Sequence, residues 1–428
     1  MGSVYFELGE YALAISHLDR ALELQRQQLG PAHEETLRTF HILGETHWWN
    51  GDDAKALELA RNGLELSRHA LGETSLLTLQ FLANGALASI YTEAGTTEEI
   101  DRRIKDALKV IRATLGDTHR LTFRVEVVLG AHLSDRGKFH EAEAMLSEAI
   151  ERQRIVFPET DQLMLQAVSM RAKVNANLSK LDIAEAMHRR VLKLRQSVNV
   201  PNHAMTVNIE ILLAMIHLKR EEFPQAEKIR GRLLGLLAED RLVESRMAIR
   251  SLVDLARVYR HRREWAKVDE LAGAVLAAGR RKFKDEATPL QLIDMEDEWG
   301  RSLMGQERYA EAEPHFRRAM EIRTQRQSTH GRRFSAMSRL GDCLFKQNKE
   351  LQQAEVLLKS GAMELEKRFT QLPERNRLEI AGGAQQRLAD FYQATGRSAE
   401  AAVYRQKLRA LEAADGRPLV ENDYLPVF

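Results

Sequence analysis

EETLRTFHILGETHWWNGDDAKALELARNGLELSRHALGETS, residues 34–75, is one complete unit of a pattern that runs through the chain. Leu37, Phe40, Leu43, Gly44 and His47 fall three or four residues apart, the spacing that puts side chains on one stripe of a helix. Gly44 reads as a small residue where two helices approach closely. Asn50-Gly51-Asp52-Asp53 then ends the helix, because glycine accepts the positive φ of a helix C-terminal stop. Ala54, Ala56, Leu57, Ala60, Leu64 and Leu66 form a second stripe, and Leu71-Gly72-Glu73-Thr74-Ser75 hands the chain to the next unit.

The residue two places after each joining turn is Tyr11, Asp53, Thr97, Phe139, Leu181, Phe223, Trp265, Tyr309, Leu351 and Ser398, in steps of 42, 44, 42, 42, 42, 42, 44, 42 and 47 residues. A period in this range marks stacked helical hairpins. The linker recurs too: Leu29-Gly30-Pro31-Ala32-His33 reappears as Leu115-Gly116-Asp117-Thr118-His119, with weaker copies at Phe157-Pro158-Glu159-Thr160-Asp161 and Val200-Pro201-Asn202-His203. Thr36-Leu37, Thr78-Leu79, Thr122-Phe123 and Thr206-Val207 follow as helix starts. The expected fold is all-α, a solenoid of about nine helical hairpins in one right-handed superhelix. The repeats around Leu181 and Trp265 lack the turn glycine, so their angles are expected to deviate.

Composition narrows the function classes. The 428 residues carry 29% charged and 44% apolar side chains, too apolar for disorder. A formal charge of +1 gives no global attraction to nucleic acid or to an anionic membrane. Cys343 has no second cysteine to pair with, which fits a reducing, cytoplasmic setting. No apolar run reaches the roughly 18 residues a spanning helix needs, and the N-terminus lacks a secretory pattern.

Tyr5, Gly9, Tyr11, Ala14, Leu18 and Ala21 match the tetratricopeptide signature, as do Trp299 and Gly300 together with Tyr309, Ala312, Phe316 and Ala319 of QERYAEAEPHFRRAMEIR (306–323). The 42-residue unit with its Leu-Gly-x-x-His linker resembles the kinesin-light-chain variety of that repeat. Residues 300–411 resemble the repeat arrays at the C-terminal end of bacterial serine/threonine kinase proteins. The resemblance implies a protein-interaction fold. The asparagine pair usual in the kinesin-light-chain type is replaced by His41-Ile42, Val127-Val128, Ser169-Met170 and Ile211-Leu212, so those binding residues are not carried over. The array is expected over residues 1–412 with its first repeat truncated, as in a fragment of a longer protein, and a C-terminal tail over 413–428.

Catalytic chemistry has little to stand on. The chain contains no P-loop, dinucleotide fingerprint, HExxH, EF-hand loop or kinase motif. Glu185 and His188 form one ExxH, whereas a di-iron bundle needs two such pairs and two further glutamates. Cys343 beside Leu344 and Phe345 reads as a small buried hydrophobe. His33, His119 and His203 recur in linkers and read as turn-stabilising. No enzyme activity, cofactor or metal is expected.

A binding surface is better supported. Outward positions on the first helix of a tetratricopeptide hairpin recur at i, i+3, i+7, i+10 and i+11. They read Arg250, Val253, Arg257, Arg260 and His261 in one repeat, and Asp294, Asp297, Arg301, Met304 and Gly305 in the next. Residues 241–286 hold twelve Lys/Arg against seven Asp/Glu. One reading makes Arg250, Arg257, Arg260 and Arg301 a groove for an acidic or phosphorylated protein or peptide, since guanidinium grips carboxylate and phosphate with paired bonds. The other makes them solvated side chains paired along their helix, as Arg260 with Glu264. Trp48 and Trp49 diverge by about 100° on a helix, so one of them either anchors a partner or packs against a preceding segment. Arg280-Arg281-Lys282-Phe283-Lys284 is too local for a nucleic-acid track.

The expected role is a protein-protein interaction scaffold that binds a partner segment in its concave groove. The alternative is a regulatory region of a larger signalling protein, with a kinase or nucleotide-binding domain upstream. Neither nucleic acid nor membrane is an expected partner.

Overall fold

The computed structural model describes the chain apart from residues 8–10, 91, 93–94, 199–203, 241, 244, 284–289, 328–329, 373–376 and 420–428. Gly9, the linker copy at 200–203 with its His203, Arg241, Lys284 and most of the tail therefore lie outside the described residues.

Twenty α-helices and no strand occur among the described residues, and consecutive helices pack antiparallel. They pair as α1 (Gly2–Glu7) with α2 (Tyr11–Gln28), α3 (Glu34–Trp49) with α4 (Asp53–Leu71), α5 (Leu76–Ser89) with α6 (Thr97–Leu115), α7 (Arg120–Asp135) with α8 (Phe139–Gln153), and α9 (Gln162–Asn177) with α10 (Leu181–Val198). The series continues as α11 (Ala204–Lys219) with α12 (Phe223–Ala238), α13 (Arg246–His261) with α14 (Trp265–Lys282), α15 (Leu290–Gly305) with α16 (Tyr309–Arg326), α17 (Gly331–Lys346) with α18 (Leu351–Lys367), and α19 (Gly383–Ala394) with α20 (Ser398–Asp415). The periodic residues of the sequence, Tyr11 to Ser398, each open the second helix of a hairpin. Ten hairpins result rather than nine, because the first, shortened one is present as α1 and α2. α20 runs through Asp415, three residues beyond the expected edge of the array.

One turn is used again and again. The amides of Asp52, Lys138, Lys180, Glu222, Glu264, Arg308, Lys349 and Arg397 each donate to the carbonyl five residues back at 2.8–2.9 Å, the long bond of a Schellman stop. The residue just before the donor takes a positive φ in all eight. It is Gly51, Gly137 or Gly396 in three turns, but Ser179, Glu221, Arg263, Glu307 and Asn348 in the other five, at 51–61°. The turns around Leu181 and Trp265 therefore do not deviate. The long bond holds Ser179 and Arg263 in a conformation that costs an ordinary residue about 1 kcal/mol or more.

Linkers cap the following helices. The Nδ1 atoms of His33 and His119 accept from the amides of Glu35 and Leu121 at 3.3 and 3.1 Å, which is the turn-stabilising role expected of them. Thr78 and Thr122 donate back to the carbonyls of Gly72 and Gly116 at 2.9 and 2.8 Å.

The chain divides into two compact units, one of Met1–Ser134, Lys138–Ile216 and Glu244–Met247, the other of Asp135–Gly137, His217–Val243 and Ala248–Phe428. Buried clusters in the first include one around Leu37, Phe40 and Phe81 and one around Ile104, Val125, Leu129 and Leu146. In the second, Phe316, Phe334, Leu340, Leu358, Leu388 and Phe391 share a core. Burial of each such side chain contributes about 1.5–3 kcal/mol. No described helix is long and apolar enough to cross a membrane.

Candidate partner-binding face

In the second unit the first helices of successive hairpins stack, and their polar positions meet. Glu298 of α15, 2% exposed, is the centre. Arg257 Nε donates to its Oε1 at 3.0 Å, Arg260 Nε to its Oε2 at 2.9 Å, and Arg301 Nη1 to Oε1 at 3.0 Å. Arg257 also reaches Asp254 at 2.8 Å, and Arg301 reaches Glu379 in the π-helical turn Leu378–Gly382 that leads into α19. Arg339 of α17 pairs with Asp297 at 2.5 Å. Asp294 is held by Arg323 and Arg332, each at 2.6 Å.

Burial disfavours the charge on Glu298, but Arg301, Arg260 and Arg257 outweigh it and hold the carboxyl well below its usual range. Glu379 is opposed by burial in the same way, yet Arg301 and Arg339 bring it to about 2. Burial, followed by Arg301, lowers Arg260 to about 10, whereas the surrounding carboxylates raise Arg257 and Arg301 against burial. His261, 3.2 Å from Arg260, is pushed by burial and by Arg260 to about 4, so its ring is neutral near pH 7. Arg387 of α19 is half-buried and donates from Nε to Ser338 Oγ at 3.0 Å.

The first unit holds a smaller cluster. Arg124 of α7 donates to Glu45 of α3 at 2.6 Å and to Asn84 of α5 at 3.3 Å, while Asn84 lies 2.9 Å from His41 Nε2. With Trp48 and Phe81 they line a small cavity. Trp48 meets Trp49 edge-on with centroids 4.8 Å apart, and Trp49 stacks on Tyr11 at 6.3 Å. Arg246, in the same unit, lies over Trp48 at 5.3 Å and grips Asp53 at 2.9 and 3.0 Å.

The sequence profile of the tetratricopeptide repeat matches residues 1–69, 78–155 and 291–361, together more than half of the chain. The chain belongs to the tetratricopeptide-repeat family. Among solved structures, BtubC (BKLC) from P. vanneervenii is 18% identical, with 51% of this chain and 87% of that one covered and a TM-score of 0.42. The kinesin-light-chain TPR-like repeats of P. anserina are 16% identical over 48% and 97%, with a TM-score of 0.39. The apo quorum sensor NprR from B. thuringiensis is 13% identical over 88% and 99%, with a TM-score of 0.48. These are distant likenesses.

Within this tetratricopeptide array, Arg257, Arg260 and Arg301 do come together, but around carboxylates that the sequence reading passed over. Arg250 stands apart, 3.8 Å from Asp135 of the same unit. Val253, expected on the outward row, is 4% exposed and belongs to the core. The expected Arg260–Glu264 pair gives way to Glu298, and Glu264 is instead held by Arg262 at 2.7 Å and Lys267 at 2.5 Å. Trp48 lines the first unit's cavity, and Trp49 packs on Tyr11.

The missed residues had a signal. Glu298 follows Arg257 by 41 residues and precedes Arg301 by one helical turn; Asn84 follows His41 by 43. Glu185 is taken by Arg189 at 2.7 Å while His188 is 1% exposed, so this ExxH does not present a paired site. Among the described residues no group of three or more His, Cys, Asp or Glu is placed to hold a metal ion. Burial pushes the Cys343 thiol up to about 12, and its Sγ donates to the Tyr309 carbonyl at 3.2 Å.

Proposed function

We propose that the chain is an interaction module that acts by binding rather than catalysis, and that it takes a peptide segment along the first-helix face of its second unit. Tetratricopeptide arrays typically bind proteins or peptides. The observation that carries the assignment to this face is the connected lattice of Arg257, Arg260, Glu298, Arg301 and Glu379, with the separate pair of Arg339 and Asp297 on the same face. It fixes polar side chains from successive hairpins in set rotamers, and such preorganisation lowers the ordering cost of recognition. The test is panning of random dodecapeptides on the full chain, followed by hydrogen exchange with the tightest binder. Protection in α13, α15, α17 and α19 with a micromolar Kd supports the reading. Protection confined to other helices, or no binder at all, rejects it.

The finer reading, a regulatory region of a signalling protein, draws on the resemblance of residues 300–411 to kinase-linked arrays. The source genome upstream of Met1 tests it: an open reading frame without a kinase or nucleotide-binding domain removes it.

A further inference from the structure

Arg387 differs from the other arginines of this face. Arg257, Arg260, Arg301 and Arg339 each have a carboxylate at ion-pair distance, shared among Asp254, Glu298, Glu379 and Asp297. Among the described residues none lies within that distance of Arg387. Among the described residues its single hydrogen bond runs from Nε to Ser338, whose side chain is fully buried, and none reaches its two terminal nitrogens. Gly383, one turn earlier, gives the guanidinium its seat: a Cβ there would stand 3.3 Å from Nη1. Asp342 and Asp297 act on Arg387 only from longer range, while Arg339 and Arg301 repel it; with burial, which is the larger effect, they bring it down to about 10. The group is still charged near pH 7.

A cation so placed is costly, and the counter-ion that suits it has defined chemistry. At ion-pair distance the other four arginines are matched by four carboxylates, so among the described residues the Arg387 charge is left without a direct counter-ion. A monoanion neutralises it. A phosphate dianion brings a second charge toward Asp342 and Asp297, where like charges repel. The two free nitrogens of a guanidinium match the two oxygens of a carboxylate in a bidentate pair.

We propose that Arg387, held by Ser338, is the docking point for one carboxylate of the bound peptide, from an acidic side chain or a C-terminus. This deepens the peptide-binding reading and rests on it for the source of the carboxylate.

The test has two arms, both on the full chain. In the first, the arginine guanidinium carbons are 13C-labelled and the chain is titrated with sodium acetate against sodium chloride at equal ionic strength, then with inorganic phosphate. One signal, absent from Arg387→Lys, is expected to move saturably with acetate and less with phosphate. No movement beyond that in chloride, or a preference for phosphate, overturns the proposal. In the second, random dodecapeptide pools carry a central glutamate or glutamine, each with a free or amidated C-terminus. A roughly tenfold preference for one carboxylate-bearing pool is expected, matching one charge-assisted pair. That preference should vanish in Arg387→Gln, with circular dichroism confirming the fold; a preference that survives overturns the proposal. The amidated pools distinguish side chain from terminus. If acetate titrates Arg387 and no pool binds, the carboxylate site stands and the peptide reading falls.

Discussion

Arg260 of α13 and Glu298 of α15 meet across neighbouring hairpins, Nε to Oε2 at 2.9 Å, with the acid almost wholly buried. Arg257 and Arg301 share the same carboxylate. Glu298→Gln therefore withdraws one charge from three guanidiniums at once: Arg257 keeps Asp254 and Arg301 keeps Glu379, but among the described residues Arg260 is left with no carboxylate. Removing one partner of a buried pair costs about 3–5 kcal/mol. Hydrogen exchange of α13 and α15 reads this locally, which suits a chain of two units better than a single global midpoint. Arg257→Glu should destabilise the same helices by setting a carboxylate against Glu298. Unchanged exchange in Glu298→Gln would mean the lattice contributes little.

Acid should unfold the chain in two stages, and the signs can be worked out. His188 is buried with neither ring nitrogen hydrogen-bonded; burial and then Lys173 lower it from 6.5 to about 3. His261 falls to about 4. The unfolded chain binds these protons first, so the stability held above pH 6.5 declines as pH falls toward those values. Glu379 and Glu313, both near 2 against an ordinary 4.5, keep their contribution above pH 4.5 and lose it as pH falls toward 2. His188→Leu should raise stability by about 1–2 kcal/mol, because an unsatisfied buried polar group is replaced by an apolar one. It should also flatten the slope of stability between pH 6.5 and 3 for the first unit. An urea series at several pH values checks both, and an unaltered slope would contradict the assignment.

Much of the fold was legible because it rests on periodicity. Eight of the ten periodic residues, Asp53 and those from Phe139 to Ser398, open their helices whatever their chemistry, since the turn before them is fixed by the same backbone bond. His33 and His119 were legible for the same reason, as local contacts. The face was legible only in part. Positions 257 and 301 share a period, so their stacking could be read. The acid between them left only its spacing, Glu298 standing one helical turn before Arg301, while its burial is a tertiary property that no spacing shows. Arg387 carried no signal at all, since what sets it apart is a partner it lacks.

Four of the ordinary residues in left-handed turns are a reservoir of stability. Ser179, Glu221, Arg263 and Glu307 sit at positive φ, where an L side chain costs about 1–2 kcal/mol. Glycine removes that strain and adds about 0.5–1 kcal/mol of unfolded-state entropy. Each change to glycine should therefore stabilise by roughly 0.5 kcal/mol, and the four together by about 2 kcal/mol if distant sites add. The gain should appear in thermal unfolding of the quadruple variant, and a lower midpoint would show that the long turn bond already removes the strain.

Two helix glycines separate close approach from mere propensity. A Cβ at Gly341 would lie 2.9 Å from the Ala354 carbonyl oxygen and 3.0 Å from the Leu358 amide, both backbone atoms that cannot step aside cheaply. At Gly44, read from sequence as the close-approach position, the nearest atom would be Leu59 Cβ at 3.6 Å, an ordinary contact. Alanine is the better helix former by about 1 kcal/mol at either place. Gly44→Ala should therefore stabilise by about 0.5–1 kcal/mol, whereas Gly341→Ala should destabilise by about 1–3 kcal/mol through overpacking of α17 against α18. Opposite shifts in thermal midpoint for the two single variants are the expected outcome. Shifts of the same sign would mean that α17 and α18 can part without cost, and that helix propensity alone governs both glycines.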